Sequence, residues 1–163
     1  ELSGDATPAI KVISHALEAL GSDLLDSFTG VAYLQPTSPF RTVGQLQRAV
    51  ALYADHRPDT LVSVQQVPHN MVSSVQMVPV DNDQLLWLKP PTGQVLRRQE
   101  KAVSYARNGP AILIVSAEDV LNHGRLYGER IMGYEMDRLS SLDIDNPLDL
   151  EMARALAVLA KSI

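Results

Sequence analysis

Four consecutive pieces decide the fold class: Gly30-Val-Ala-Tyr-Leu-Gln35, Pro36-Thr-Ser-Pro39, Thr42-Val-Gly-Gln45 and Thr60-Leu-Val-Ser-Val-Gln-Gln-Val67. The first is a short, almost wholly apolar run, the pattern of a buried strand. The proline-flanked turn ends it. Thr42 and Gln45 then have capping-box spacing, and Leu46, Ala49, Val50 and Tyr53 line one face of the helix they open. Arg57-Pro58-Asp59 breaks that helix, and Thr60–Val67 is apolar again. Strand, helix, strand in close succession predicts a crossover unit in a parallel sheet, and so an α/β protein.

The rhythm extends in both directions. Upstream, Ile10, Ile13, Leu17 and Leu20 predict an amphipathic helix with Thr7 as its cap, Pro8 in its first turn and Gly21 at its end. Downstream the character changes. Val72–Val78 and Leu85–Leu88 read as short strands around the polar turn Asp81-Asn-Asp83, a hairpin pattern. Pro90-Pro-Thr-Gly93 follows, and then a segment bearing Arg97, Arg98, Lys101 and Arg107. From Asn108-Gly109 the α/β alternation returns. A buried strand is expected over Ala111–Val115, and a helix from Ser116-x-x-Asp119 to Gly124. A strand near Arg130–Met136 and a closing helix from about Pro147 to Ala160 complete the chain. The residues therefore predict one α/β layered domain with a hairpin-containing insertion.

The chain has 163 residues, 45% hydrophobic and 20% charged, which suits one globular domain with a sizeable core. A net charge of −5 argues against broad binding to nucleic acid or to acidic membranes. With no cysteine, disulfides, thiolate metal sites and cysteine nucleophiles are excluded for this chain. No apolar run in the sequence, Ala111–Val115 among them, exceeds six residues, which is far shorter than a membrane span. The sequence opens on Glu1 with no basic-then-apolar leader, and the cytoplasm is the expected location.

The sharpest candidate for chemistry is Ser141-Leu-Asp-Ile-Asp-Asn-Pro-Leu-Asp149. In an extended segment Asp143 and Asp145 share one face, with Leu142 and Ile144 on the other. Paired carboxylates repel unless a cation neutralises them, and magnesium takes one or two carboxylates with water and phosphate oxygens. Helix capping competes with this reading. Asn146 or Asp145 as N-cap, Pro147 in the first turn and Asp149 near the helix dipole account for most of the motif, but not for Asp143. Spacing alone leaves both readings open. Gln35-Pro-Thr-Ser-Pro-Phe-Arg41 lies at the carboxyl end of an expected strand, where α/β sheets bind ligands, and it offers an amide, two hydroxyls and a cation. Taken alone it reads as a surface turn leading into a capped helix.

Arg97, Arg98, Lys101 and Arg107 suit an anion, although such a run is usually a solvated face. His15, His56, His69 and His123 lack metal-ligand spacing, and His15 reads as a core or edge histidine. Trp87 and Tyr105 read as packing residues. Ser38 has no histidine or acid pattern beside it for nucleophilic work.

Glu1-Leu-Ser-Gly-Asp5, Leu34-Gln-Pro-Thr-Ser-Pro-Phe-Arg-Thr42, Arg98-Gln, Asn108-Gly109 and Ser141-Leu-Asp-Ile-Asp-Asn-Pro-Leu-Asp-Leu150 occur in the order found in acylneuraminate cytidylyltransferases, the CMP-sialic acid synthetases. The resemblance covers nearly the whole chain, and the second and last blocks are its specific part. It implies a three-layer nucleotidyltransferase (Rossmann-like) sheet across residues 1–163. Residues 71–106 would then be a small, β-containing dimerisation arm. The implied reaction joins CTP to a nine-carbon 2-keto sugar acid and releases pyrophosphate, with an octulosonic acid as the competing substrate class.

By the same resemblance Asp143 and Asp145 match the Mg2+-binding aspartates, so both are candidate catalytic and metal residues. Gln35, Arg98 and Asn108 match substrate-binding positions, with Arg98 meeting the sugar from the partner of a homodimer. The family opens on a strand and a basic, glycine-containing loop around the CTP phosphates, and the sequence begins downstream of that segment. An N-terminally incomplete domain is the expectation, together with the alternative of a folded, dimerising chain without catalysis. Met71, Ser73, Leu113 and Ala9 also depart from residues common in the family, which leaves the identity of the sugar open.

Overall fold

The computed structural model describes residues 4, 7–21, 27–72, 77–79, 85–87 and 103–160, with 77–79, 85–87 and 159–160 described by their backbone alone. Among the described residues, four helices and seven strands follow one another as α1 (Ala9–Leu20), β1 (Gly30–Tyr33), α2 (Val43–His56), β2 (Thr60–Gln66), β3 (Met77–Pro79), β4 (Leu85–Trp87), β5 (Tyr105–Arg107), β6 (Leu113–Ser116), α3 (Ala117–His123), β7 (Ile131–Glu135) and α4 (Pro147–Ala160). They form two compact units, residues 1–64 with 107–163, and residues 65–106. Among the described residues no helix is long and apolar enough to cross a membrane.

In the larger unit β6 lies between β1 and β2 and runs antiparallel to both, with Val31 opposite Val115 and Leu61 opposite Ile114. β7 pairs with β2 in parallel, Thr60 opposite Ile131 and Ser63 opposite Tyr134. The expectation of a parallel sheet is thus corrected. β1 and β2 do point the same way, as a crossover through α2 requires, but an antiparallel strand from far along the chain sits between them, so the sheet is mixed. A local strand–helix–strand pattern reports the direction of its own two strands and says nothing of a third inserted between them.

Alternation along the strands puts apolar side chains on both faces. Val31, Tyr33 and Val115 pack with Ile13 and Leu17 of α1 and with Val120 of α3. Leu61, Ile112, Ile114 and Tyr134 pack with Ala49 and Tyr53 of α2. Helices therefore cover the sheet on both sides, and Leu61, Ile112 and Val115 are fully buried. The caps follow the sequence with one exception. Thr42 accepts from the Gln45 backbone N–H while the Gln45 side chain accepts from Thr42, the anticipated capping box. Ser116 caps α3, and Gly124 ends it in the left-handed region. At α1, however, Pro8 and not Thr7 is the cap, and no side chain caps the helix. The chain reaches Ala9 in an extended conformation that the proline ring favours, which moves the start one residue on.

In the smaller unit β3 and β4 pair antiparallel, Val78 opposite Leu86, which is the anticipated hairpin. The expected dimerisation arm, 71–106, lies within this unit, and 73–76, 80–84 and 88–102 of it lie outside the described residues. Tyr105, expected to be a packing residue, is 50% exposed. Arg98 lies outside the described residues.

Candidate functional site

The expected site gathers at one end of the larger unit's sheet, where β1 ends, β6 begins and the chain runs on from β7. Three segments meet there. The turn after β1 is held by Arg41, whose guanidinium donates to the backbone carbonyls of Gln35 at 3.2 Å and Ala111 at 2.6 Å. Arg41 is thereby a structural tie between the end of β1 and the approach to β6, not the ligand cation that its position suggested. The Gln35 side chain is half-buried and makes no hydrogen bond among the described residues, so its amide is available.

The second segment is Asn108-Gly109. Asn108 is 3% exposed, and both ends of its amide are engaged. Its Oδ1 accepts from the Ser63 hydroxyl of β2 at 2.6 Å, and its Nδ2 donates to the Ser141 hydroxyl at 2.8 Å. Ser63 Oγ in turn accepts from the Ile112 backbone N–H at 2.8 Å. A buried amide so placed fixes three separate stretches of chain, because leaving any of these polar atoms unpaired is costly. Gly109 follows at φ +111°, and a Cβ there would stand 2.8 Å from Asp143 Oδ2. Only glycine allows the backbone to come this close to that carboxylate.

The third segment carries the aspartates. Asp137 accepts from the Ser140 backbone and hydroxyl and from the Gln45 amide at 3.0 Å, which links the turn to the start of α2. The Ser140 backbone N–H holds the Asp137 carboxyl below its ordinary range, against burial that pushes it up. Ser141 is held by Asn108, Leu142 N–H donates to Leu139, and Ile144 N–H donates to Thr37 at 3.0 Å. Asp143 thus sits between anchored neighbours, half-buried. Its Oδ1 is a buried side-chain oxygen with no hydrogen-bond partner.

Asp145 is exposed, and no hydrogen bond to its carboxylate is present among the described residues. The capping reading holds for the rest of the motif. The Asp145 and Asn146 backbone N–H groups donate to Asp149 Oδ2, and Asn146 Oδ1 accepts from the Asp149 N–H. Capping therefore accounts for Asn146 and Asp149 and leaves the carboxylates of Asp143 and Asp145 unused. No group of three or more histidine or acidic side chains able to hold a metal ion occurs among the described residues.

Sequence reasoning missed Ser63 and Ser141 as the partners of Asn108. A serine inside an otherwise apolar strand was the available signal at position 63. It also missed a charged cavity of about 480 Å3 at the opposite end of the same sheet, where β1 and β2 begin and β6 ends, lined in part by Tyr53, Arg57, Asp59, Asp119, Arg125 and Arg130. Its acids are tied within the fold. Asp59 takes the Arg130 backbone N–H and guanidinium, which hold its carboxyl below the ordinary range. Asp119 is pushed up by burial, yet Arg125 at 2.6 Å and the Ser116 hydroxyl bring it below. These pairs fasten loops to strand ends.

No protein-family model matches the chain. Among curated proteins, the N-acylneuraminate cytidylyltransferase of Escherichia coli O18:K1:H7 is 32% identical over 154 residues, which is 94% of this chain and 34% of that protein. The chain spans about a third of the length of the relative it matches. The aligned region takes in the turn after β1, the Asn108-Gly109 approach and the aspartate segment, since so little of the chain lies outside it. Over nearly its whole length, the chain is similar to about a third of that cytidylyltransferase, which carries the name of the family that the chain's two longest motifs resemble.

Proposed function

We propose that this chain carries the sugar-acid and metal end of a cytidylyltransferase with a nucleotidyltransferase-type fold, acting on CTP and a sialic-acid-like nine-carbon 2-keto sugar acid. The anomeric hydroxyl oxygen of the sugar bonds to the α-phosphorus of CTP and loses its proton. The bond from that phosphorus to the bridging oxygen breaks, and pyrophosphate leaves with the electron pair. The observation that carries this reading is Asp143, whose Oδ1 is a buried oxygen without a hydrogen-bond partner and whose Oδ2 lies beside Gly109, at the sheet end that also holds Gln35. An acceptor so buried and so fixed suits a cation better than it suits solvent.

The fit to magnesium rests on that orphaned oxygen and on the hard oxygen donors of Asp143 and Asp145, the two residues that would hold it. When bound, Mg2+ supplies neutralisation of charge on the transferring phosphoryl group. The chain's own groups do the rest. The free amide of Gln35 orients sugar hydroxyls through one donor and one acceptor. Arg98 supplies the cation for the sugar carboxylate, reaching it from the second subunit of a homodimer. Asn108, with both amide ends engaged, serves by holding the Asp143 segment and not by touching the sugar.

Pyrophosphate release from CTP, measured with Mg2+ and a panel of nine-carbon 2-keto acids beside an octulosonic acid, tests the reading. Release that depends on a nine-carbon acid supports it, and release with the octulosonic acid alone moves the substrate class. No release with any acid leaves a folded domain that shares the family's sequence without its catalysis. Sizing that returns only monomer removes the subunit role given to Arg98.

A further inference from the structure

Two buried side-chain oxygens among the described residues lack a hydrogen-bond partner, and they are Ser38 Oγ and Asp143 Oδ1. They belong to residues flanking a single backbone tie, the 3.0 Å bond from the Ile144 N–H to the Thr37 carbonyl. Ser38 is 3% exposed, so its hydroxyl has no path to bulk water. A buried hydroxyl left unmatched and a buried carboxylate oxygen left unmatched are each unfavourable, and native folds keep such atoms few. That both occur at one tie argues for a shared partner.

The chemistry of that partner follows from the two atoms. The carboxylate oxygen accepts only, while the hydroxyl both donates and accepts. A direct bond between them is not formed. A single water, donating to the carboxylate and pairing with the hydroxyl, would satisfy both atoms, and buried waters are found where polar groups lack other partners. Arg41 donates to the carbonyls of Gln35 and Ala111, and no bond from it reaches either of these two oxygens.

We infer that Ser38 is a positioning residue for Asp143, acting through one bridging water to set which way the carboxylate faces. Gly109 then bounds the Oδ2 side of Asp143 and Ser38 governs the Oδ1 side. The consequence for a divalent cation rests on the reading of Asp143 given above, and the position of the carboxylate does not. Ligand carboxylates held by outer hydrogen bonds bind metal more tightly, and removing such a support typically weakens affinity about 10–100-fold.

The test compares Ser38→Ala and Ser38→Thr with the parent chain. In 13C-labelled, metal-free protein at one fixed pH near neutrality, the Asp143 carboxyl resonance is assigned by its loss in Asp143→Asn. It is expected to move in Ser38→Ala and to return in Ser38→Thr, with the thermal midpoint of each variant confirming the fold. A resonance unmoved in Ser38→Ala overturns the inference, whatever the threonine variant does. Mn2+ titration followed by electron paramagnetic resonance then reads the cation. Weakening on the order of tenfold in Ser38→Ala, with recovery in Ser38→Thr, is the expected result. If the resonance moves but Mn2+ binding is the same in the parent, Ser38→Ala and Asp143→Asn, the metal reading of Asp143 falls while the Ser38–Asp143 linkage stands.

Discussion

Replacing Asn108 by alanine removes the one side chain that joins β2, the approach to β6 and the aspartate segment. Two short bonds are lost, from Ser63 Oγ at 2.6 Å and to Ser141 Oγ at 2.8 Å. Each is worth about 0.5–1.5 kcal/mol net. The Ser63 hydroxyl proton is then buried without an acceptor, since Ser63 Oγ is already held by the Ile112 N–H and Ser63 has 0% exposure. An orphaned buried donor adds about 1–3 kcal/mol. Ser141 suffers less, because its hydroxyl already donates to the Met136 carbonyl at 3.5 Å and keeps that bond. The sum is about 4 kcal/mol, and for a domain of this size it lowers the melting midpoint by about 8–16 °C.

Thermal and urea unfolding measure that loss, with the urea slope unchanged if only native-state bonds are removed. A double-mutant cycle with Ser141→Ala isolates the bond itself. Once Asn108 is gone, Ser141→Ala has little left to lose, so the two changes together should fall short of additive by about 1 kcal/mol. An Asn108→Ala chain within about 0.5 kcal/mol of the parent, or a coupling near zero, refutes the claim that this amide holds the three segments together.

Asp145→Asn should abolish pyrophosphate release and leave the melting midpoint where it was, since the exposed carboxylate supports no bond in the fold; turnover like that of the parent would overturn its metal role. Gly30→Ala should destabilise by about 1–3 kcal/mol, because the new Cβ meets Tyr53 Oη at 2.7 Å. The penalty should shrink in a Tyr53→Leu background, and an undiminished penalty there assigns it to the backbone instead. Acid unfolding supplies the last test. Asp59 and Asp137 are held below their ordinary value of 3.8 in the folded chain, so the stability they confer is present above that value and is lost as pH falls through their lower folded values. Stability should therefore drop below about pH 4, and Asp137→Asn should flatten the decline; an equal slope in the variant assigns the acid sensitivity to other groups.

Local features of the fold were legible in the sequence because their causes are local. Thr42 and Gln45 cap α2 from three residues apart, Gly124 ends α3 by adopting the left-handed region, and β3 and β4 pair as close neighbours in sequence. The insertion of β6 between β1 and β2 was not legible, because it depends on the pairing of Val31 with Val115, partners far apart in the chain. The site divides in the same way. Asn108 and Gly109 stood out as a pair of residues, but their purpose lies in Ser63, 45 residues earlier, and Ser141, 33 residues later. The partner of Arg41 was hidden for a related reason. A cation in a turn looks free until the carbonyl of Ala111, brought up by the fold, takes it.

On spacing the motif Asp143-Ile-Asp-Asn-Pro-Leu-Asp149 fits capping and metal binding equally, and the structure shows the capping part of it. Both ask for acidic residues ahead of a helix, but they ask for different atoms. A cap needs a side-chain oxygen that reaches the free N–H groups of the first turn, and Asn146 and Asp149 supply it to one another's backbone and to that of Asp145. Asp143 lies too early to reach α4. Its surroundings are instead made by Gly109, whose missing Cβ leaves room for Oδ2, and by neighbours tied to Asn108 and Thr37. A fold that had no use for a carboxylate at this position would gain by an apolar residue there, since a buried unpaired oxygen is unfavourable. The structure instead anchors the residues around that carboxylate, brings its Oδ2 beside Gly109 and leaves its Oδ1 unmatched, an arrangement that capping does not explain.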